Sequence, residues 1–307
     1  MSTMRKWIVA AIVLLGSGVF VCGFTFVASC FDFGRLSTAK YMTETHTVEN
    51  SFQDIKIDVN TEKVVFSLSD DGTCRVVCLE DEKDTCNVQV DGRTLIIDKP
   101  NRHKWTWYIG IVTYSPEITI YLPETVYGEL TMNVDTGDIV IPDAFSFDNI
   151  TVTIDTGDIN CKASSSGNIN IKSETGDITL GELSAAEMIL ESDTGKINLS
   201  NIALTEDLKI TEETGNATMS NISCKNFISS GDTGSLTMTN VVANKEFNLQ
   251  RDTGNINFEE CDAEALFIKT DTGSVTGSLL TDKVFIIDTD TGSVDVPKTI
   301  TGGKGLA

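Results

Sequence analysis

One phrase recurs along most of the chain: an acidic residue, then threonine, then glycine. It stands at Asp135-Thr136-Gly137, Asp155-Thr156-Gly157, Glu174-Thr175-Gly176, Asp193-Thr194-Gly195, Glu213-Thr214-Gly215, Asp232-Thr233-Gly234, Asp252-Thr253-Gly254, Asp271-Thr272-Gly273 and Asp290-Thr291-Gly292. Successive glycines are 20, 19, 19, 20, 19, 20, 19 and 19 residues apart. A near-fixed period of this length marks stacked repeats, in which no unit buries its apolar face alone and each is completed by its neighbours.

Aligning the repeats on their glycines exposes apolar columns. Two positions after Gly come Ile139, Ile159, Ile178, Ile197, Ala217, Leu236, Ile256, Val275 and Val294. Further columns lie four positions after the glycine, from Ile141 to Val296, and seven and five before it, starting at Leu130 and Met132. Alternation at every second place is the pattern of a half-buried strand. Two short strands per coil therefore flank the Thr-Gly corner, and the chain reads as an all-β solenoid of 19–20 residues per coil. Coils about 4.8 Å apart make the stretch from first to last glycine roughly 38 Å long.

The phrase then has a structural meaning. Glycine supplies a corner with positive φ, which other residues adopt reluctantly. Threonine shares the parity of the inward columns, so it is expected at the edge of the core, hydrogen-bonding coil to coil. The acidic residue has the opposite parity and faces solvent, where its oxygens can accept backbone N–H groups at the turn.

The first thirty residues differ. Arg5 and Lys6 precede an uncharged run from Trp7 to Phe31. About 20 apolar residues span a bilayer, and flanking basic residues hold their end in the cytoplasm. Residues 1–31 are thus expected to form a transmembrane anchor, with residues 7–31 in the membrane and the body outside. Val27-Ala28-Ser29-Cys30 offers an alternative, a lipoprotein anchored at Cys30. Residues 32–47 read as a tether and 48–125 as an irregular membrane-proximal β region. The regular solenoid follows over 126–307. Its last coil is expected to be unfinished, since the next corner would fall near position 311 or 312.

A net charge of -22 argues against nucleic-acid partners, whose phosphates it repels. Only His46 and His103 are present, which removes most histidine-based catalysis and most transition-metal sites. None of the eight cysteines forms a CxxC pair. Cys74 and Cys78, on one strand, cannot bond to each other, but either could meet Cys86. Cys161, Cys224 and Cys261 fall on inward or corner positions at least two coils, about 10 Å, apart, and are expected as buried free thiols. Trp105, Trp107 and Tyr108 form an aromatic cluster that either contacts a partner or covers the open end of the stack.

Two chemical readings of the phrase compete with the structural one. Asp-Thr-Gly is the catalytic signature of aspartic proteases, which need two aspartates converging on one proton. Nine evenly spaced copies do not create one such pair. A column of carboxylates could also bind calcium, and only the first coils offer two acids per turn: Asp135, Asp138, Asp155, Asp158, Glu174 and Asp177. No cofactor and no catalytic residue is expected.

The N-terminal span, the tether segment Phe31-Asp32-Phe33-Gly34-Arg35-Leu36-Ser37-Thr38 and the serial Asp-Thr-Gly-Asp-Ile coils resemble the bacterial "putative adhesin" β-strand-repeat family, a domain of unknown function common in Gram-positive Firmicutes. The resemblance implies a membrane-anchored surface protein with a stacked-β ectodomain. It also implies an association with cell-envelope stress systems. Two functions are therefore carried forward. One is a structural or adhesive surface module with a protein or cell-surface partner. The other is an envelope-stress accessory that binds a membrane protein near Trp105–Tyr108.

Overall fold

A computed structural model describes residues 41–82, 84–99, 115–281 and 286–296, with helical positions at 7, 11, 13–21 and 24. The lipobox-like Cys30, most of the expected span, the tether before residue 41, the Trp105–Tyr108 cluster and the end of the last coil lie outside these residues. No helix among the described residues is long and apolar enough to cross a membrane.

Strands make up 71% of the structure against 5% helix, and they stack as the coils of an all-β solenoid. The first nine are β1 (Tyr41–Val48), β2 (Asp54–Val59), β3 (Lys63–Leu68), β4 (Cys74–Asp81), β5 (Asn87–Asp91), β6 (Thr94–Asp98), β7 (Glu117–Leu122), β8 (Val126–Thr136) and β9 (Ile139–Ile141). From β8 onward each coil pairs in parallel with the next in the register that the glycine alignment predicts. Leu130 stands beside Ile150 and Ile150 beside Ile169, while Ile139 stands beside Ile159 and Ile159 beside Ile178. All four alternating columns point inward, and most of their members are buried. Where one member is large its neighbour compensates. Gly277 occupies a position filled elsewhere by leucine or methionine, and the ring of Phe258 from the preceding coil takes that space.

The coils are more regular than two short strands. Pairing continues past the glycine corner through Ile178–Ala185, Ile197–Leu204, Ala217–Thr233 and Leu236–Thr253. The chain turns again six residues after the glycine, at Glu182, Asn201, Asn221, Asn240 and Glu260, each left-handed with φ of 52–58°. Asparagine adopts this region more readily than most residues because its short amide bonds locally. The amides also stack: Asn221 Nδ2 donates to Asn201 Oδ1 and Asn240 Nδ2 to Asn221 Oδ1, both at 2.9 Å. This second corner adds an inward position one residue on, held by Leu183, Ile202, Ile222, Val241 and Cys261.

Two expectations for the N-terminal half need correction. Residues 41–47 are not tether; β1 pairs antiparallel with β4 along its whole length, from Tyr41 beside Asp81 to Val48 beside Cys74. Nor is 48–125 irregular. β2 lies parallel between β6 and β8, and β3 lies parallel to both β7 and β9, so these segments add layers to the same stack. Their order in space departs from order in sequence, because β2 and β3 are inserted between the layer of β6 and β7 and the first Asp-Thr-Gly coil. Beyond that layer the direction reverses: β4 pairs antiparallel with β7, and β5 with β6. An open solenoid end exposes unpaired strand edges, and antiparallel strands laid across it close it. The β5–β6 hairpin turns at Asp91-Gly92, with Gly92 at φ 60°.

Candidate functional site

Each Asp-Thr-Gly corner is a backbone junction between coils. The glycine N–H donates to the threonine carbonyl of the following coil, as from Gly157 to Thr175 and from Gly176 to Thr194, both at 2.9 Å. Seven of the nine glycines have φ between 136° and 159°. The other reason for glycine is space. A Cβ on any glycine from Gly157 to Gly292 would fall far inside contact distance of the carbonyl oxygen of the glycine one coil earlier. Gly215 and Gly273 meet the same obstruction although their backbone angles are not left-handed.

The residue after glycine carries the side-chain ladder. The Oδ1 of Asp138 accepts the Asp158 N–H at 3.1 Å, Asp158 accepts from Asp177 at 2.8 Å, and Asp177 accepts from Lys196 at 2.8 Å. Lysine has no acceptor, and the ladder resumes beyond it. Asn216 accepts from Ser235 at 2.8 Å, Ser235 from Asn255 at 3.2 Å, and Asn255 from Ser274 at 2.8 Å. The residue at this position varies along the sequence, but all except Lys196 are short acceptors.

Threonine is not at the core edge. Thr136, Thr156, Thr175, Thr194, Thr214, Thr233, Thr253, Thr272 and Thr291 are all exposed; the paired register skips the acidic residue before them, and the inward alternation ends three positions before the glycine. The preceding acids face outward too, as expected, so the phrase forms an acidic and hydroxylic edge along the rod. The six carboxylates that suggested calcium do not converge. Among the described residues the one group of three or more Cys, His, Asp or Glu side chains whose ligand atoms lie within 4.8 Å of one another is elsewhere. Nor do any two phrase aspartates face each other as a protease pair requires; they stand one per coil in parallel register.

Sequence reading missed a column three residues before each glycine: Val134, Ile154, Ser173, Ser192, Glu212, Gly231, Arg251, Thr270 and Thr289. It points inward and becomes polar midway. Ser173, Ser192, Glu212, Arg251 and Thr270 are all buried. Arg251 lies across Gly231, which has no side chain to block it, and its Nη2 donates to Glu212 Oε2 at 3.0 Å and Ser229 Oγ at 3.1 Å. Burial pushes the Glu212 carboxyl up to about 7 against the opposing pull of Arg251, and burial likewise lowers the guanidinium. The other Glu212 oxygen has no hydrogen-bond partner.

A second buried polar group sits at the capped end. Lys99, following β6, places its Nζ 2.7 Å from Glu62 Oε1, 2.8 Å from the Asp84 carbonyl, 3.4 Å from Asp84 Oδ2 and 3.7 Å from Glu80 Oε2. Glu62 also accepts the N–H groups of Asn60 and Thr61 at 3.0 and 2.9 Å, which explains why a residue that reads as an exposed turn is buried. Burial acts to lower the Lys99 pKa, but the three carboxylates together raise it and hold the ammonium. Glu80 continues the inward column of Cys74, Val76 and Cys78, so period-two spacing pointed to it. Its Oε2 accepts the Cys86 N–H at 2.6 Å, and burial pushes its carboxyl up.

The three cysteines of this region are buried and unbridged. Cys78 and Cys86 do meet, and their contact, with burial, pushes the Cys86 thiol up. Cys161, Cys224 and Cys261 are buried free thiols, with burial raising them to about 12, 12 and 11. Thiols so raised are protonated and poorly nucleophilic.

Solved structures with a similar chain path include a "putative adhesin" from Bacteroides fragilis, 15% identical, covering 84% of this chain and 97% of that one at a TM-score of 0.45. Another "putative adhesin", from Parabacteroides distasonis, is 14% identical over 85% of this chain and 98% of that one, at 0.49. A "putative cell adhesion protein" from Clostridium sporogenes is 13% identical over 84% and 99%, at 0.26. Likenesses this distant say nothing of what the chain binds. No curated protein matches the sequence. Residues 52–216 and 205–299, which together take in both the capped layers and the Asp-Thr-Gly coils, match the family Toastrack DUF4097, and the chain belongs to that family.

Proposed function

We propose that this chain is a non-enzymatic surface module, held to the membrane by residues 7–31 with its body outside the cell, that presents the long faces of a rigid rod to a protein or cell-surface partner. One observation carries the reading: the phrase residues stand outward, one set per coil, along a single edge. Recognition by such an edge is repetitive and extended, and weak contacts repeated along it add as avidity. The buried ionisable groups, in contrast, are shut inside the stack and present no reacting atom to solvent.

The test is crosslinking in living cells followed by purification of the full-length chain. Recovery of cell-wall or host-surface material supports the reading. Recovery of membrane signalling proteins, crosslinked through residues 105–108, contradicts it and favours the envelope-stress role. Protease protection of the body in intact cells, with digestion only after permeabilisation, contradicts the proposed orientation.

A further inference from the structure

At the capped end, Cys78, Glu80 and Cys86 are all buried and bring one ligand atom each within 4.8 Å of the others. Cys78 and Glu80 are two residues apart on β4, and Cys86 arrives through the turn that leads to β5. Two features of this group and its surroundings are unaccounted for by the fold. Glu80 is 1% exposed, yet its Oε1 has no hydrogen-bond partner. A buried carboxylate oxygen left unpaired loses its hydration with nothing in return, so such atoms call for a partner. Lys99 does not supply that partner: its ammonium is nearest Glu62 and Asp84 and lies 3.7 Å from the other Glu80 oxygen. Finally, Glu44 on β1 stands opposite Cys78, and the Nε2 of His46, which has no hydrogen-bond partner, meets Glu44 Oε1 only at 3.8 Å. His46 also lines a groove of about 570 Å³ walled by residues 46–50 and by Val88, Gln89 and Val90.

We propose that Cys78, Glu80 and Cys86 bind a thiophilic divalent metal ion, zinc above all. Two thiolates and a carboxylate suit zinc rather than calcium or magnesium, which take all-oxygen shells. Tetrahedral zinc places its donors roughly 3.5 Å apart, so the three atoms need to close only modestly. Binding by two thiolates displaces two thiol protons, so the cluster's net charge is unchanged, and what the ion supplies is a partner for the buried Glu80 oxygen. A Cys78–Cys86 disulfide, the competing fate of two adjoining thiols, would leave the Glu80 oxygen without a partner. Three protein ligands leave the fourth tetrahedral position to water or another small donor. Because the ligands come from β4 and the turn after it, the metal would pin the antiparallel cap to the end of the stack.

The experiment uses the purified, reduced full-length chain. Zinc content is measured, and zinc affinity is determined by competition with a chromophoric chelator. The expected results are one zinc per chain and an affinity at least ~10-fold lower in Glu80→Gln, Cys78→Ser and Cys86→Ser, with Cys161→Ser unchanged. Cobalt added to the unaltered chain gives tetrahedral d–d bands and thiolate-to-cobalt charge transfer, a readout that depends on no variant folding. Absence of stoichiometric uptake by the folded chain overturns the proposal. So does uptake indifferent to Cys78 and Cys86, or a Cys78–Cys86 disulfide in protein prepared without reductant.

Discussion

Single residues decide how closely the coils can approach. Gly234 and Gly72 both have positive φ, 141° and 73°, yet only Gly234 faces the carbonyl of another coil; around Gly72 there is open space. Gly234→Ala is expected to cost about 2–3 kcal/mol in denaturant unfolding, and Gly72→Ala about 1 kcal/mol, since only the first adds a coil-to-coil clash to the backbone penalty. Equal losses at the two sites would mean that φ alone selects glycine. Buried Glu212 gives a pH test. Its folded pKa, about 7, lies above its ordinary 4.5, so the native state holds a proton that the unfolded state releases between these values. The associated stability is present in full below about pH 4.5 and is lost as pH rises through about 7, a change on the order of 3 kcal/mol. Melting temperatures measured from pH 5 to 8 should fall more steeply in the unaltered chain than in Glu212→Gln, with the difference confined to that window.

At the scale of the coil, the structure rewards a sequence position that looked unremarkable. The residue after glycine varies in charge and size but keeps one property, a short acceptor oxygen, and Lys196 is the single break. Lys196→Asn should let the Asn216 N–H bond as its counterparts do and raise stability by about 0.5–1 kcal/mol; a decrease in chemical unfolding would show that the ladder is incidental. What was legible in the sequence follows from this organisation. The period, the register and four inward columns were legible because every coil repeats the same apolar parity. The column of Ser192, Glu212 and Arg251 was not, because polar residues at an inward position look like exposed ones until the partner across Gly231 is known. Threonine misled for a related reason: parity assumes an unbroken ladder, and the ladder skips the acidic residue just before each threonine. The capped end was hardest. β2 and β3 pair with segments that follow later in the chain, and β1 pairs antiparallel with β4, so no local signal announced their place in the stack. Of the cap's buried cluster, the sequence left open that Cys78 could meet Cys86, and period-two parity with Cys78 pointed Glu80 inward, whereas nothing local marked Lys99 as buried.

At the scale of the molecule, an acidic rod repels itself unless its charges are distributed. Several lysines answer acids on the adjacent coil, among them Lys162 to Glu182 at 3.3 Å, Lys225 to Glu206 at 2.6 Å and Lys245 to Glu264 at 3.0 Å. Each exposed pair contributes little alone, and their common value is to offset the stacked outward acids. The cohesion of the rod lies in its continuous apolar core and coil-to-coil backbone pairing, and both follow from the repeated corner. The most direct test of that account is a distance series between spin labels on the exposed threonines. With about 4.8 Å per coil, labels at positions 156 and 233 should lie about 19 Å apart and labels at 136 and 291 about 38 Å apart, increasing linearly with the number of coils between them. Distances that fail to grow with coil number, as they would if the Asp-Thr-Gly corners converged on one site, would contradict it.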